Sequence, residues 1–354
     1  MNHIKRIAAG LEKQGLDAML MSSAPGEFYA TGFHGEGYAI ITADKCRYST
    51  DARYIEAAQK IENVELICIS PTKGHADYAA ETVAQWGIKR MGIEDEYMSV
   101  QEYRRLEKLM PGVEFVPASD YIAELRAVKD EEELEMMRRA QDITDRTFTE
   151  ILNYIKPGVS EKEIAARLTY IQMSFGAAGN SFDPIVASGP NGSMPHAIPS
   201  DRLIQDGDFV TLDFGCIYGG YCSDMTRTVC VGKPTEEMEL VYNTVLEAQK
   251  AGIELCRVGV RGCDVHNAAA DVIAKAGYGE YFGHGYGHSL GIEIHENPRA
   301  NAINDKPIPA GAVLSAEPGI YIPGKFGVRI EDLIIYGEDG YTDITKSPKN
   351  LICL

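Results

Sequence analysis

No run of apolar residues in this 354-residue chain approaches the roughly 18 positions that a membrane-spanning helix requires. The opening stretch MNHIKRIAAGLEKQGLDAML has no signal-peptide apolar core, because its apolar and charged residues alternate at helical spacing. The eight cysteines (46, 68, 216, 222, 230, 256, 263, 353) form no C-x-x-C pair and no regular framework. They read as buried thiols of a reduced, cytoplasmic protein rather than as disulfides. Basic charge is scarce: 34 Lys and Arg stand against 52 Asp and Glu, a formal net charge of −18. A surface so negative repels phosphate backbones and anionic headgroups, so neither nucleic acid nor a membrane surface is an expected partner.

What is present is ordinary globular material, 45% apolar and 24% charged, enough for about two domains. The first third alternates short helices and strands. DAMLM, YAIIT, CRYST, VELICIS, KRMGIE and VEFVP read as strands, and residues near 3–14, ADYAAETVAQW and residues near 99–109 as helices. This is α/β patterning. The chain changes character near 120–130, so the expected domains are 1–124 and 125–354, with no low-complexity linker. The second opens with one long amphipathic helix from Asp130, whose capping box closes on Glu133; Pro157 and Gly158 stop it.

The C-terminal part is written twice. KPGVSEKEI (156–164) aligns with RVGVRGCDV (257–265), PHAIP around His196 recurs loosely as IHENP around His295, and each half ends in two β-like runs. Features repeating in one order at nearly one offset predict two similar α+β halves facing a shared site. A turn centred on Tyr218-Gly219 would set Asp213 opposite Asp224, and one centred on Gly324 would set Glu317 opposite Glu331. Like charges across a strand pair are destabilising, and burying them requires compensation. Any one of these acids alone reads as part of a solvated strand face. Four in mirrored places are too many for one shared proton and suit two divalent cations about 3.5–4 Å apart.

The stretch GHGYGHSLGIEIHENP (283–298) crowds three histidines among glycines. His284 and His288 have the i, i+4 spacing of helical zinc ligands, but Gly283, Gly285 and Gly287 favour a strand or loop. At strand spacing positions 284, 286 and 288 would face one way. One imidazole completes a carboxylate-rich site, and the others can serve as donors or acid/base groups. His266, His3, His34 and His75 read as structural.

Taken together, PHAIPSDRLIQDGDFVTLDFGCIYGGYCSDMTRTV, GHGYGHSLGIEIHENP, LSAEPGIYI and GVRIED resemble the pita-bread metallopeptidases, in particular the Xaa-Pro aminopeptidase and prolidase branch. EFYATGF and STDARY resemble that branch's N-terminal domain more weakly. The resemblance implies an N-terminal α/β domain and a duplicated α+β pita-bread domain. It implies five metal ligands, Asp213, Asp224, His288, Glu317 and Glu331, holding two divalent ions per chain. Manganese or cobalt is favoured, and zinc or iron also suits oxygen-rich ligation with one imidazole. It further implies hydrolysis by an activated water, with Glu317 relaying the proton and His196 and His295 stabilising the oxyanion or touching substrate from two sides. Arg329 would hold a carboxylate, His284 would line the pocket on the imide side, and Arg299 could clamp a dipeptide's free carboxylate, although a solvated loop arginine is an equal reading. The expected partners are short peptides with proline at the second position and a second copy of the chain, as a homodimer; GFHGEG (32–37) is either a rim loop or a plain turn. Methionine aminopeptidases share the five ligands but usually lack the preceding domain and a counterpart of His284. The alternative from another class is a catalytically silent pita-bread protein that binds a peptide or partner.

Overall fold

The computed structural model describes residues 2–354. It divides into two compact units, Met1–Arg126 and Ala127–Leu354.

The first unit holds one six-stranded sheet, ordered β4-β3-β2-β1-β5-β6. The strands are β1 (Ala18–Met21), β2 (Tyr38–Ile41), β3 (Cys46–Thr50), β4 (Glu65–Cys68), β5 (Arg90–Ile93) and β6 (Glu114–Pro117). The sheet is mixed: β1–β2 and β2–β3 are antiparallel, whereas β3–β4, β1–β5 and β5–β6 are parallel. Central β1 is buried along its whole length, and the edge strands β4 and β6 are partly exposed. Helices α1 (Ile4–Gly10), α2 (Ala24–Thr31), α3 (Ile55–Ala58), α4 (His75–Trp86), α5 (Val100–Leu109) and α6 (Ser119–Ala127) accompany the sheet. The loop 32–37 is tied down by buried Glu27, which accepts from Gly37 N at 2.6 Å, Gly35 N at 3.2 Å and the Tyr48 hydroxyl at 2.5 Å.

The second unit opens with α7 (Glu131–Ile151). Its capping box forms as the sequence predicts: Asp130 accepts from Glu133 N at 2.9 Å, and Glu133 accepts from Asp130 N at 2.8 Å. The helix ends at Ile151 and a turn through Asn153 and Tyr154 precedes Pro157. Next come α8 (Glu161–Ser174), β7 (Gly179–Asn180), β8 (Ile185–Ser188), β9 (Phe209–Phe214), β10 (Cys216–Tyr218), β11 (Tyr221–Cys222) and β12 (Met225–Cys230). The second half repeats the plan with α9 (Glu236–Ile253), α10 (Gly262–Lys275), β13 (Gly287–Ser289), β14 (Glu296–Ala300), β15 (Val313–Ala316), β16 (Gly319–Ile322), β17 (Phe326–Arg329), β18 (Asp332–Tyr336) and β19 (Tyr341–Asp343). Helices α8 and α10 have equal lengths of 14 residues. Antiparallel β8-β9-β12 corresponds to β13-β15-β18, and the β10–β11 hairpin to β16–β17. This is the duplicated α+β arrangement expected from the sequence.

The hairpin registers differ from expectation in one half only. Asp213 pairs with Thr226, not with Asp224. The turn residues are Gly219 and Gly220, both at positive φ (58° and 86°), one position later than anticipated. Asp224 therefore lies two residues from Asp213's partner, on the same face by the strand period of two. In the second half the Pro323-Gly324 turn closes with Lys325 N donating to Ile322 O at 3.0 Å. Pairs Gly319–Arg329 and Ala316–Asp332 bracket Glu317 and Glu331, which face each other as predicted.

Candidate metal centre

The two halves meet along the inner strands. Glu331 N donates to Thr226 O at 3.1 Å, and the Thr228 hydroxyl donates to Arg329 O at 3.1 Å. This junction brings the acids of both hairpins to the floor of a cavity of about 560 Å³. Asp213, Asp224, His284, His288, His295, Glu317, Arg329 and Glu331 all line it, together with His196 and Arg299. Glu331 (1% exposed), Arg329 (3%) and Asp224 (4%) are deeply buried. His196, His295 and Arg299 are exposed toward the mouth.

Burial raises the Asp224 carboxyl well above its ordinary range, and the charges of Glu331 and Asp213 raise it further. Glu331 is raised in the same way by burial, then by Glu317 and Asp213. Glu317 is raised chiefly by burial. Arg329 is the counter-charge: its Nη2 donates to Asp213 Oδ2 at 2.5 Å, its Nε to the Thr226 hydroxyl at 3.0 Å and its Nη1 to Tyr321 Oη at 2.8 Å. The Thr226 hydroxyl, its oxygen occupied by Arg329, donates to Glu331 Oε2 at 2.7 Å. One guanidinium thus orients two of the acids, one directly and one through a threonine.

The imidazoles are fixed with equal definition. His288 Nδ1 faces its neighbour's carbonyl, Ser289 O, at 3.1 Å and must carry the proton there. The bare Nε2 then points at Glu317 Oε1 (3.3 Å) and Asp224 Oδ2 (3.7 Å). Burial pushes His288 down to about 4, so its Nε2 lone pair is free at neutral pH. The Ser315 hydroxyl joins His288 to Glu317, accepting from His288 N and donating to Glu317 Oε1, each at 3.0 Å. Gly287 permits this approach, since a Cβ there would stand 1.9 Å from Ser315 O. His284 Nδ1 likewise donates to Gly285 O at 2.8 Å, so its Nε2 accepts from the Tyr321 hydroxyl at 2.9 Å. Tyr286 does not share a face with His284 and His288: it is buried in the core with its hydroxyl on Gln249 O. The regular strand begins only at Gly287, so a period of two does not apply before it.

Three buried oxygens, Asp213 Oδ1, Asp224 Oδ1 and Glu331 Oε1, have no hydrogen-bond partner. One ligand atom each from Asp224, His288 and Glu331 lies within 4.8 Å of the others. Converging unpaired carboxylate oxygens beside a bare imidazole nitrogen are a donor set that fits divalent cations. Thr226, Ser315 and Tyr321 escaped the sequence reading. The signal was there in part: Thr226 and Ser315 lie two positions from Asp224 and Glu317, on the same strand faces.

The fold and site together define a metallopeptidase. Residues 135–338 match the model of metallopeptidase family M24, and residues 3–128 that of the creatinase/prolidase N-terminal domain. The chain belongs to metallopeptidase family M24, whose members imply a dinuclear metal site. It is 42% identical to an uncharacterized peptidase of Bacillus subtilis, covering 96% of both chains. Its fold matches that of an Xaa-Pro dipeptidase from Bacillus anthracis with a TM-score of 0.95 at 39% identity, over 99% of each chain. An X-Pro aminopeptidase from Thermotoga maritima matches at 0.92 and 36%, over 97% of this chain and 99% of that one. Among the described residues no helix is long and apolar enough to cross a membrane.

Proposed function

We propose that this protein is a dinuclear metal-dependent exopeptidase that cleaves the bond between an N-terminal residue and proline, with Xaa-Pro dipeptides as its preferred substrates. The observation that carries the reading is the set of three buried, partnerless carboxylate oxygens, on Asp213, Asp224 and Glu331, in the cavity that the bare His288 Nε2 also lines. Asp213, Asp224, His288, Glu317 and Glu331 would hold the ions, with manganese or cobalt favoured. Residues 125–354 carry the chemistry, and 1–124 form the accessory α/β domain. When bound, the two cations supply Lewis acidity and a nucleophilic water of lowered pKa at neutral pH.

The chain's own groups do the rest. Glu317, steadied by the Ser315 hydroxyl, accepts the water's proton and passes it to the leaving proline nitrogen. His196 and His295 approach the reacting carbonyl from the two pseudo-symmetric sides and donate to the developing oxyanion. Arg329 holds the Asp213 carboxylate in orientation through its Nη2 contact with Oδ2. His284, with both ring nitrogens engaged, acts as a wall beside the proline rather than as a donor. Arg299 lines the cavity near its mouth, where its fork can take the free carboxylate of a dipeptide. The similarity to proteins described as Xaa-Pro dipeptidase supports this choice.

The test is metal-stripped protein reconstituted with manganese or cobalt and assayed in parallel on an Xaa-Pro dipeptide and an Xaa-Pro tripeptide. Faster dipeptide cleavage is expected. Preference for the tripeptide would make the enzyme an aminopeptidase and return Arg299 to the loop. Turnover of neither, with metal bound, would leave a silent peptide-binding protein.

A further inference from the structure

One buried cation is not used by the chemistry above. The Lys129 side chain is 1% exposed and precedes the cap of α7. Its ammonium donates to Ser289 Oγ at 3.1 Å and to Glu296 Oε2 at 3.1 Å. Ser289 directly follows His288, and Glu296 directly follows His295. The two contacted residues are also register partners across β13 and β14, at a bulge. His288 pairs with Arg299, but the next residue, Ser289, pairs with Glu296, so the register slips between them. Beside that slip the His295 ring lies with its centroid 4.4 Å from that of His288, edge to face.

Nothing in a bulge by itself fixes how far its loop closes. Here the second Glu296 oxygen accepts from Glu293 N at 3.1 Å, inside the loop that carries His295. The same loop sits tight on the lysine: a Cβ on Gly291 would meet Lys129 Cε at 3.0 Å. A buried ion pair is weak evidence for stability and better evidence for a fixed geometry.

We propose that Lys129 is a positioning residue: its ammonium, clamped between Ser289 and Glu296, sets the spacing of His288 and His295 at the reaction centre. The proposal rests on reading His288 as a metal ligand and His295 as a group facing substrate.

The test compares wild type with Lys129→Met/Glu296→Gln, which removes both charges of the pair together. Three readouts are taken: the imidazole nitrogen signals of histidine-labelled, metal-free protein by NMR, the affinity for cobalt(II) by calorimetry, and kcat and KM on an Xaa-Pro dipeptide. The expected result is a folded variant whose His288 and His295 signals move. Its cobalt affinity should fall about 10-fold or more, as for other groups that orient ligands, and the loss of turnover should appear in kcat more than in KM. A folded variant with unchanged histidine signals and unchanged cobalt affinity overturns the proposal. Should the double variant not fold, Ser289→Ala removes one arm of the clamp and is judged by the same signals in the same sense. Wild type that binds cobalt but cleaves no Xaa-Pro peptide would sink the functional reading, and the NMR and calorimetric comparison would still decide the role of Lys129.

Discussion

Thr226→Val removes a single buried oxygen between two charged groups. Thr226 is fully buried, and its hydroxyl accepts from Arg329 Nε at 3.0 Å while donating to Glu331 Oε2 at 2.7 Å. Valine fills nearly the same volume, so the packing contribution is small and the loss is polar. In metal-free protein Glu331 is held toward its protonated form, so its bond with Thr226 counts as roughly neutral, about 1 kcal/mol. The orphaned Arg329 N–H adds about 1.5–3 kcal/mol. The sum is about 2.5–4 kcal/mol, read as a lower midpoint in chemical denaturation. Once cations are bound Glu331 must be ionised, and the missing donor then loosens a ligand. Removing such an orienting partner typically lowers metal affinity 10–100-fold, about 1.4–2.8 kcal/mol.

The stability difference between variant and wild type should therefore be larger with saturating cobalt(II) than without it. Calorimetric titration should show the affinity loss directly, and Thr226→Ser should restore most of it. Equal destabilisation with and without cobalt, together with unchanged cobalt affinity, would refute the reasoning and reduce Thr226 to packing.

Arg299→Met should raise KM for an Xaa-Pro dipeptide about 10-fold or more, by loss of a charge-assisted bidentate contact. It should alter the tripeptide KM far less, so equal effects on the two would remove Arg299 from substrate binding. In the stripped protein the carboxyls of the site should contribute stability as pH falls from neutral, whereas His284, His288 and His295, whose pKa values burial depresses, act in the opposite sense. Asp224, Glu317 and Glu331 have raised carboxyl pKa values when folded, so the folded state binds more protons than the unfolded one above about pH 4, and each unit of elevation costs about 1.4 kcal/mol at higher pH. Relative to wild type, Glu331→Gln should gain less stability on acidification, and bound cobalt should reverse the carboxyl contribution; denaturation curves between pH 5 and 8 check both. Gly287→Ala should destabilise the protein by about 1–3 kcal/mol and lower cobalt affinity, because a Cβ 1.9 Å from Ser315 O forces β13 and His288 away from Glu317. An unchanged thermal midpoint would show that the strand can shift freely.

Which parts of this architecture were legible in the sequence follows from where the information resides. Asp130 and Glu133 cap α7 through contacts three residues apart, so local spelling was enough. The Pro323-Gly324 turn fixes its own register, and with it the opposition of Glu317 and Glu331. The Gly219-Gly220 turn was ambiguous by one position, because either Tyr218-Gly219 or Gly219-Gly220 could supply the two central residues; the structure chose the pair that tolerates positive φ at both. That one-residue slip replaced an acid–acid pair with Asp213 against Thr226, and the threonine turned out to be the joint through which Arg329 reaches Glu331. What stayed hidden depends on contacts between remote segments. Arg227 is an example: it is 1% exposed and reads locally as an ordinary strand arginine. Folded, its Nη1 donates to Glu331 O at 2.5 Å and its Nη2 pairs with Asp332 at 2.7 Å, so it fixes the backbone of an acid more than a hundred residues away. Lys129 and Glu296 are separated by 167 positions and carry no motif. Residue types with a fixed chemical role can therefore be read from spelling, as the acids and histidines were. The residues that hold them at the right separation are chosen by the fold, and only the fold shows them.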